Sequence, residues 1–211
     1  MTTVLATQQG GGAWLRRPAL CFGQVVLAAL VLWWPPAAAS RQALLADSLS
    51  QVVVTFADLG NSTMRLEGRF TTAAPRAIAW SVLTDYDHIS AFVASMRSSR
   101  VKARGDGFLL VEQETTARIL LFRRTMHVLL KVREQPRQSI AFDDVSKASF
   151  ERYEGSWTLQ ETAGGTQVIY QLTAKSGFVG FVARSSSQRM VRELLEQVRA
   201  EIDRRAKDER L

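Results

Sequence analysis

The order of the hydrophobic periodicities constrains this chain most. A short amphipathic helix is followed by about five alternating strands that fill residues 96–176, and one long amphipathic helix then spans residues 182–205. Alternation with period two, broken by turn residues at hairpin spacing, specifies an antiparallel meander. A sheet of that kind has one apolar face that must be covered, and a single long helix has to cover most of it. One helix laid in a wide, curved sheet leaves space between the two. The pattern therefore predicts an α+β fold with an internal cavity able to take a small molecule.

The strands are legible one by one. Gln51 to Ala57 is β-branched and runs into the turn Asp58-Leu59-Gly60-Asn61, after which Met64, Leu66, Gly68 and Phe70 alternate with Arg65, Glu67 and Arg69. Pro75 opens a helix that carries Ile78, Trp80, Val82 and Leu83 and ends near Thr84. Asp87 reads as the N-cap of a second short helix, His88 to Val93. Strands follow over Met96–Ala103 and Gly107–Ala117, joined by Arg104-Gly105-Asp106-Gly107. Ile119 to Glu134 reads as one long strand, with Met126, Val128, Leu130 and Val132 inward and His127, Lys131 and Arg133 outward. Ser139–Val145, Ser149–Gln160 and the alternating Val168, Tyr170, Leu172 and Ala174 complete the sheet. In the last helix Val191, Leu194, Leu195, Val198 and Ile202 fall on one face, and Glu201 stands four residues before Arg205.

The first 39 residues are expected to lie outside this fold. Arg16 and Arg17 precede an apolar run from Ala19 to Trp34, Pro35-Pro36 ends it, and Ala37-Ala38-Ala39 precedes Ser40. That is the layout of a secretory signal peptide. The alternative is an uncleaved anchor, because the run reaches the lower limit of the roughly 17–25 residues that span a bilayer. The expected organisation is a signal peptide at 1–39, a linker at 40–50, one domain at 51–205 and a charged tail at 206–211, in a protein exported to the periplasm. Cys21, the single cysteine, falls in the leader, so the mature chain has no disulfide, thiolate nucleophile or cysteine-held metal. Arg16 and Arg17 are the only charges lost with the leader, which leaves most of the net charge of +7 in place. A positive balance favours transient contact with an anionic membrane surface. The basic residues are interspersed with acids and form no block with aromatics, which argues against nucleic-acid binding.

Several strings resemble the START-like superfamily, also called SRPBCC, which includes polyketide cyclase/dehydrases and coenzyme-Q-binding proteins. They are Trp80-Ser81-Val82-Leu83-Thr84-Asp85-Tyr86-Asp87, Phe92 through Met96, Ser99-Arg100-Val101, Phe150, Tyr153-Glu154-Gly155-Ser156-Trp157 and the Gly164-Gly165-Thr166 hairpin before Tyr170. The resemblance covers roughly residues 62–205. It implies a helix-grip fold, in which the C-terminal helix lies across a curved antiparallel sheet, two short helices follow the first strands, and a hydrophobic ligand sits beneath the long helix.

The titratable residues point to no reaction by themselves. His127 has outward parity on its strand and reads as a solvated histidine. His88 with Asp85 and Asp87 reads as a turn and cap between two helices, since no second cluster of ligands accompanies it. Glu112, Glu114, Asp143, Asp144, Glu151 and Glu154 supply the material for a paired-carboxylate site, but nothing marks one of them as a raised-pKa acid. No cofactor, metal or catalytic residue is assigned. The aromatic and methionine residues carry more information. Trp80, Phe92, Gln113, Phe122, Met126, Val128, Phe142, Trp157, Tyr170 and Leu194 are the pocket candidates, with Gln113, Thr115 and Tyr170 available to orient a polar end. Phe178, Gly180, Phe181 and Val182, between the last strand and the long helix, are the portal candidates.

The expected function is non-covalent binding or carriage of a lipid, quinone or polyketide-like molecule. A cyclase/dehydrase-type enzyme acting on a carbonyl-rich chain in the same cavity is the first alternative. An envelope protein-interaction module is the second.

Overall fold

A computed structural model describes residues 51–119, 122–175 and 184–210, with residues 117–119 and 122 described as backbone only. Eight strands form one antiparallel sheet: β1 Val53–Gly60, β2 Thr63–Thr72, β3 Met96–Gly105, β4 Phe108–Ile119, β5 Phe122–Gln135, β6 Ser139–Asp144, β7 Arg152–Thr162 and β8 Gly165–Lys175. Their order across the sheet is β1-β2-β8-β7-β6-β5-β4-β3. A helix, α1 (Arg76–Leu83), a single 3-10 turn at Ile89–Ala91 and a 25-residue helix, α2 (Arg184–Asp208), complete the described chain. This is the helix-grip fold. All described residues fall within one compact unit.

Side-chain alternation sets which face is dry. On β2, Leu66 and Phe70 are buried while Arg65 and Arg69 are exposed, and on β8 Val168, Tyr170, Leu172 and Ala174 are all buried. On β5, Val128, Leu130 and Val132 are buried and His127 and Arg133 exposed, as the alternation requires. From α2, Val191, Leu195, Val198, Ile202 and Ala206 are buried, the stripe expected of a helix with one face against a sheet.

The helix does not lie centrally. It packs on β1, β2 and α1. Gly68 on β2 permits that approach, since a Cβ there would stand 2.2 Å from Leu195 Cδ1. The end of α2 is tied back by Thr72, whose hydroxyl donates to Asp203 at 2.5 Å, and by Arg205, which donates to Asp85 at 2.7 Å and to Glu201 at 2.7 Å. Burial pushes the Asp85 carboxyl up, but the hydrogen bonds from His88 and Arg205 outweigh it and hold it below the usual carboxylate range. α2 does not pack in the same way on β4 to β7, and of these strands only β7 is met by α1.

Four local expectations are corrected. The segment 88–93 forms only the 3-10 turn, and Asp87 does not cap it: its carboxylate accepts from the Val101 backbone N–H at 2.8 Å, so it anchors β3 instead. Ile119 ends β4 and does not begin the next strand, because it pairs with Phe122 across a hairpin. Six strands, not about five, lie between α1 and α2. Finally, α2 continues to Asp208 with Ala206 buried, so residues 206–208 belong to the helix and not to a tail. The expected leader and linker lie outside the described residues, and among those described no helix is long and apolar enough to cross a membrane.

Candidate functional site

Where α2 leaves the sheet uncovered, a cavity of about 140 Å³ opens between them. Its long wall is β4 and β5: Val111, Gln113 and Thr115 face Met126, Val128, Leu130 and Val132 across the ladder. Phe142 on β6, Tyr153 and Trp157 on β7 and Tyr170 on β8 continue it, and Leu194 alone reaches it from α2. No residue of β1 or β2 takes part, since α2 already fills that side.

The aromatic wall is continuous. The Trp157 and Tyr170 rings lie 4.5 Å apart, Phe150 and Tyr153 4.8 Å, and Phe142 stands 6.0 Å from Tyr153 and 6.3 Å from Tyr170. Such contacts fix ring orientation and leave flat apolar surface facing the void. Three polar positions interrupt it. Gln113 Nε2 donates to the buried Ser99 hydroxyl at 3.2 Å. Tyr86 donates to Glu134 at 2.7 Å. The third position is the phenol pair Tyr153 and Tyr170, which interact with each other. Burial raises both phenols above the usual range, most strongly Tyr170, where a charged Tyr153 would add repulsion. Burial and the Glu134 carboxylate likewise raise Tyr86. At neutral pH all three are neutral donors.

Of the sequence-derived pocket residues, Gln113, Met126, Val128, Phe142, Trp157, Tyr170 and Leu194 are brought together here, along with Thr115. Trp80 and Phe92 are not. Trp80 packs against the core, and Leu83 is the residue of α1 that reaches the cavity. Phe92 has the Arg205 guanidinium 6.0 Å from its ring, so it is turned toward the end of α2 while Ile89 and Val93 face the void. The Phe122 side chain and the portal residues Phe178, Gly180, Phe181 and Val182 lie outside the described residues. Sequence reasoning passed over Tyr153 and Tyr86. The first was available from parity, two and four residues before Gly155 and Trp157 on one strand face; the second, in the turn after α1, carries no periodic signal.

The acids divide sharply. Glu112 pairs with Lys102 at 3.2 Å, Glu114 with Arg97 at 3.3 Å, Asp143 with Arg133 at 2.7 Å and Glu151 with Lys175 at 2.7 Å, all at the protein surface, and Glu154 pairs with Arg152. Glu112 therefore has no access to the cavity. Asp144 alone among these six is buried. His127 is exposed, and His88 is engaged by Asp85 at 2.6 Å. Among the described residues no group of three side chains is placed to hold a metal ion.

An open, curved sheet gripping one long helix beside an apolar, aromatic-lined cavity is the architecture of START-like domains. The sequence model of the polyketide cyclase / dehydrase and lipid transport family matches residues 72–199, and the chain belongs to that family, within the START-like superfamily. Solved structures with the same fold include TTHA0849 from Thermus thermophilus, 19% identical with a TM-score of 0.55 over 66% of this chain and 96% of that one. A STAR-related lipid transfer protein from Xanthomonas axonopodis is 18% identical, with a TM-score of 0.55 over 72% of this chain and 93% of that one. The Zhui aromatase/cyclase from Streptomyces is 15% identical, with a TM-score of 0.50 over 69% of this chain and 94% of that one. No curated protein sequence matches significantly.

Proposed function

We propose that this protein binds and carries a hydrophobic small molecule, without covalent chemistry, in the cavity bounded by β4 to β8 and α2. The observation that carries this reading is the cavity itself: a void of about 140 Å³ under an aromatic wall that none of the described residues fills. Apolar area removed from water contributes about 25 cal/mol per Å², so burying one ring and a short chain suffices for micromolar affinity. A void of this size accepts roughly one aromatic ring, and a larger lipid, quinone or polyketide requires the wall to move. Its similarity to a lipid transfer protein supports the carrier reading.

We further propose export to the periplasm and brief contact with anionic lipid. Leu59 and Val145, both exposed, sit at the end of the sheet where β8 stops at Lys175, as does exposed Lys147. Apolar tips beside a cation suit a membrane surface. The Leu59→Ser/Val145→Ser double variant should lose binding to phosphatidylglycerol vesicles while melting as before. Unchanged vesicle binding would remove the membrane from this account.

A cyclase-type activity is the second reading, favoured by the neutral phenol pair Tyr153 and Tyr170, which could polarise carbonyl oxygens of a folded chain. Turnover of a poly-carbonyl substrate that Tyr170→Phe abolishes would establish it. Native mass spectrometry of the exported protein, followed by organic extraction, tests the carrier reading. A stoichiometric apolar adduct is expected. A clean ligand-free mass on a folded domain after growth in lipid-replete cells would overturn it.

A further inference from the structure

Among the described residues, those that line the cavity include no Asp, Glu, Lys, Arg or His. Residues 120–121 and 176–183 contain no ionisable side chain either. The polar groups of the wall are hydroxyls, phenols, an indole and one side-chain amide, all neutral at physiological pH. Two of them are already engaged, Gln113 with Ser99 at 3.2 Å and Tyr86 with Glu134 at 2.7 Å. An anion taken into such a wall loses its water without meeting a cation, which is costly. An uncharged molecule with a single polar group does not carry that cost, provided the wall offers that group a partner.

The strands build such a partner around Gly155. On β7 it pairs with Phe142 of β6 and with Leu172 of β8. Having no side chain, it leaves room for the Phe142 ring, since a Cβ there would stand 2.6 Å from Phe142 Cζ. The Phe142 ring lies 6.0 Å from that of Tyr153, two positions before Gly155, and 6.3 Å from that of Tyr170, opposite Trp157. Its plane is within 20° of the Tyr170 ring. Tyr153 and Tyr170 thus meet on one ring, and their hydroxyls hydrogen-bond to each other. A phenol carries one proton, so the mutual bond uses one of the two and leaves the other on the accepting phenol. That second O–H is the stronger donor, because its oxygen already accepts a hydrogen bond.

Resting on the reading of the cavity as a ligand site, we propose that the Tyr153–Tyr170 pair sets the ligand class: an uncharged molecule whose polar end is a hydrogen-bond acceptor, such as a ketone or ester carbonyl, which takes the second phenol proton. A carboxylate is rejected, because one neutral hydrogen bond does not replace the hydration of a full charge. The ligand is accordingly a neutral carbonyl compound and not a free fatty acid.

Three one-ring probes of similar shape test this by calorimetric titration of the full chain at neutral pH: ethylbenzene, acetophenone and benzoate. Acetophenone should bind at least about tenfold more tightly than benzoate. The Tyr153→Phe/Tyr170→Phe double variant removes both partners of the mutual bond and so orphans neither. It should weaken acetophenone about three- to tenfold, as expected for one hydrogen bond, and leave ethylbenzene unchanged. Acetophenone labelled at its carbonyl carbon gives a readout on the unsubstituted protein: its infrared stretch should fall below the position seen in hexane, where no donor is present. A bound band at the hexane position overturns the inference whether or not the variant folds, and so does benzoate binding as tightly as acetophenone. An unchanged acetophenone affinity in a folded double variant overturns it too. If neither ethylbenzene nor acetophenone binds, the cavity reading itself falls; if ethylbenzene binds and the acetophenone band is unmoved, only the role of the phenol pair falls.

Discussion

The three tyrosines of the chain, Tyr86, Tyr153 and Tyr170, all line the cavity, and burial raises every one of their phenols. A group whose folded pKa is raised stabilises the fold below its unfolded pKa, and that stability is lost as pH rises beyond it. The unfolded phenols ionise near pH 10. Absorbance at 295 nm should therefore show no tyrosinate through about pH 10, followed by a cooperative rise as the protein unfolds. Smooth titration centred near pH 10 in a folded protein would mean the phenols are wet. Asp85 acts with the opposite sign. Its lowered pKa contributes stability above the unfolded value near pH 3.9, lost as pH falls through the folded one, and Asp85→Asn should flatten the acid limb of a stability profile. Glycines divide by what they touch. A Cβ at Gly155 would meet the Gln171 carbonyl oxygen at 2.1 Å, which is backbone, whereas at Gly68 it would meet the tip of Leu195. Gly155→Ala should cost about 3 kcal/mol in urea denaturation and more than Gly68→Ala, because β7 and β8 cannot part without losing their ladder.

At the scale of elements, α2 divides its labour between neighbouring residues. Leu195 is fully buried against β2, while Leu194 is half-buried and faces the cavity. Leu195→Ala should destabilise the fold by about 2–5 kcal/mol in urea denaturation, the range for a core deletion that leaves a void. Leu194→Ala enlarges a void that already exists and should cost clearly less, while changing which probe best fills the cavity. Equal losses would show that the cavity is closed in solution. The α2 stripe and the strand alternations were legible in the sequence because each is a periodicity of the local chain, 3.6 or 2 residues. The 88–93 helix was misread because its apolar residues fit one helical turn, while the carboxylate expected to cap it was drawn away to Val101.

For the whole molecule, an off-centre helix is what produces a site. A ligand that occupies the cavity only in the folded state should stabilise it by about 2.7 kcal/mol at a hundred times its Kd. For a domain of this size that is a rise in Tm of about 5–10 °C. A panel of apolar compounds read by thermal shift should find such ligands. The expected leader belongs at this scale too. Periplasmic fractions from a bacterial host should contain a chain shortened to Ser40, and a full-length chain held in the membrane would establish the anchor instead.

By itself the sequence determined the fold class, the face on which each strand buries its side chains and the stripe that α2 presents, since all of these follow from periodicities between residues close in the chain. It therefore also placed Met126, Val128, Phe142, Trp157 and Tyr170 on the inner face. Only the tertiary structure decided which inner residues meet the helix and which meet empty space. That depends on α2 docking against β1 and β2 through Gly68, a contact between residues more than a hundred positions apart that leaves no local trace. The same docking turned Trp80 and Phe92 away from the cavity and exposed Tyr153 to it.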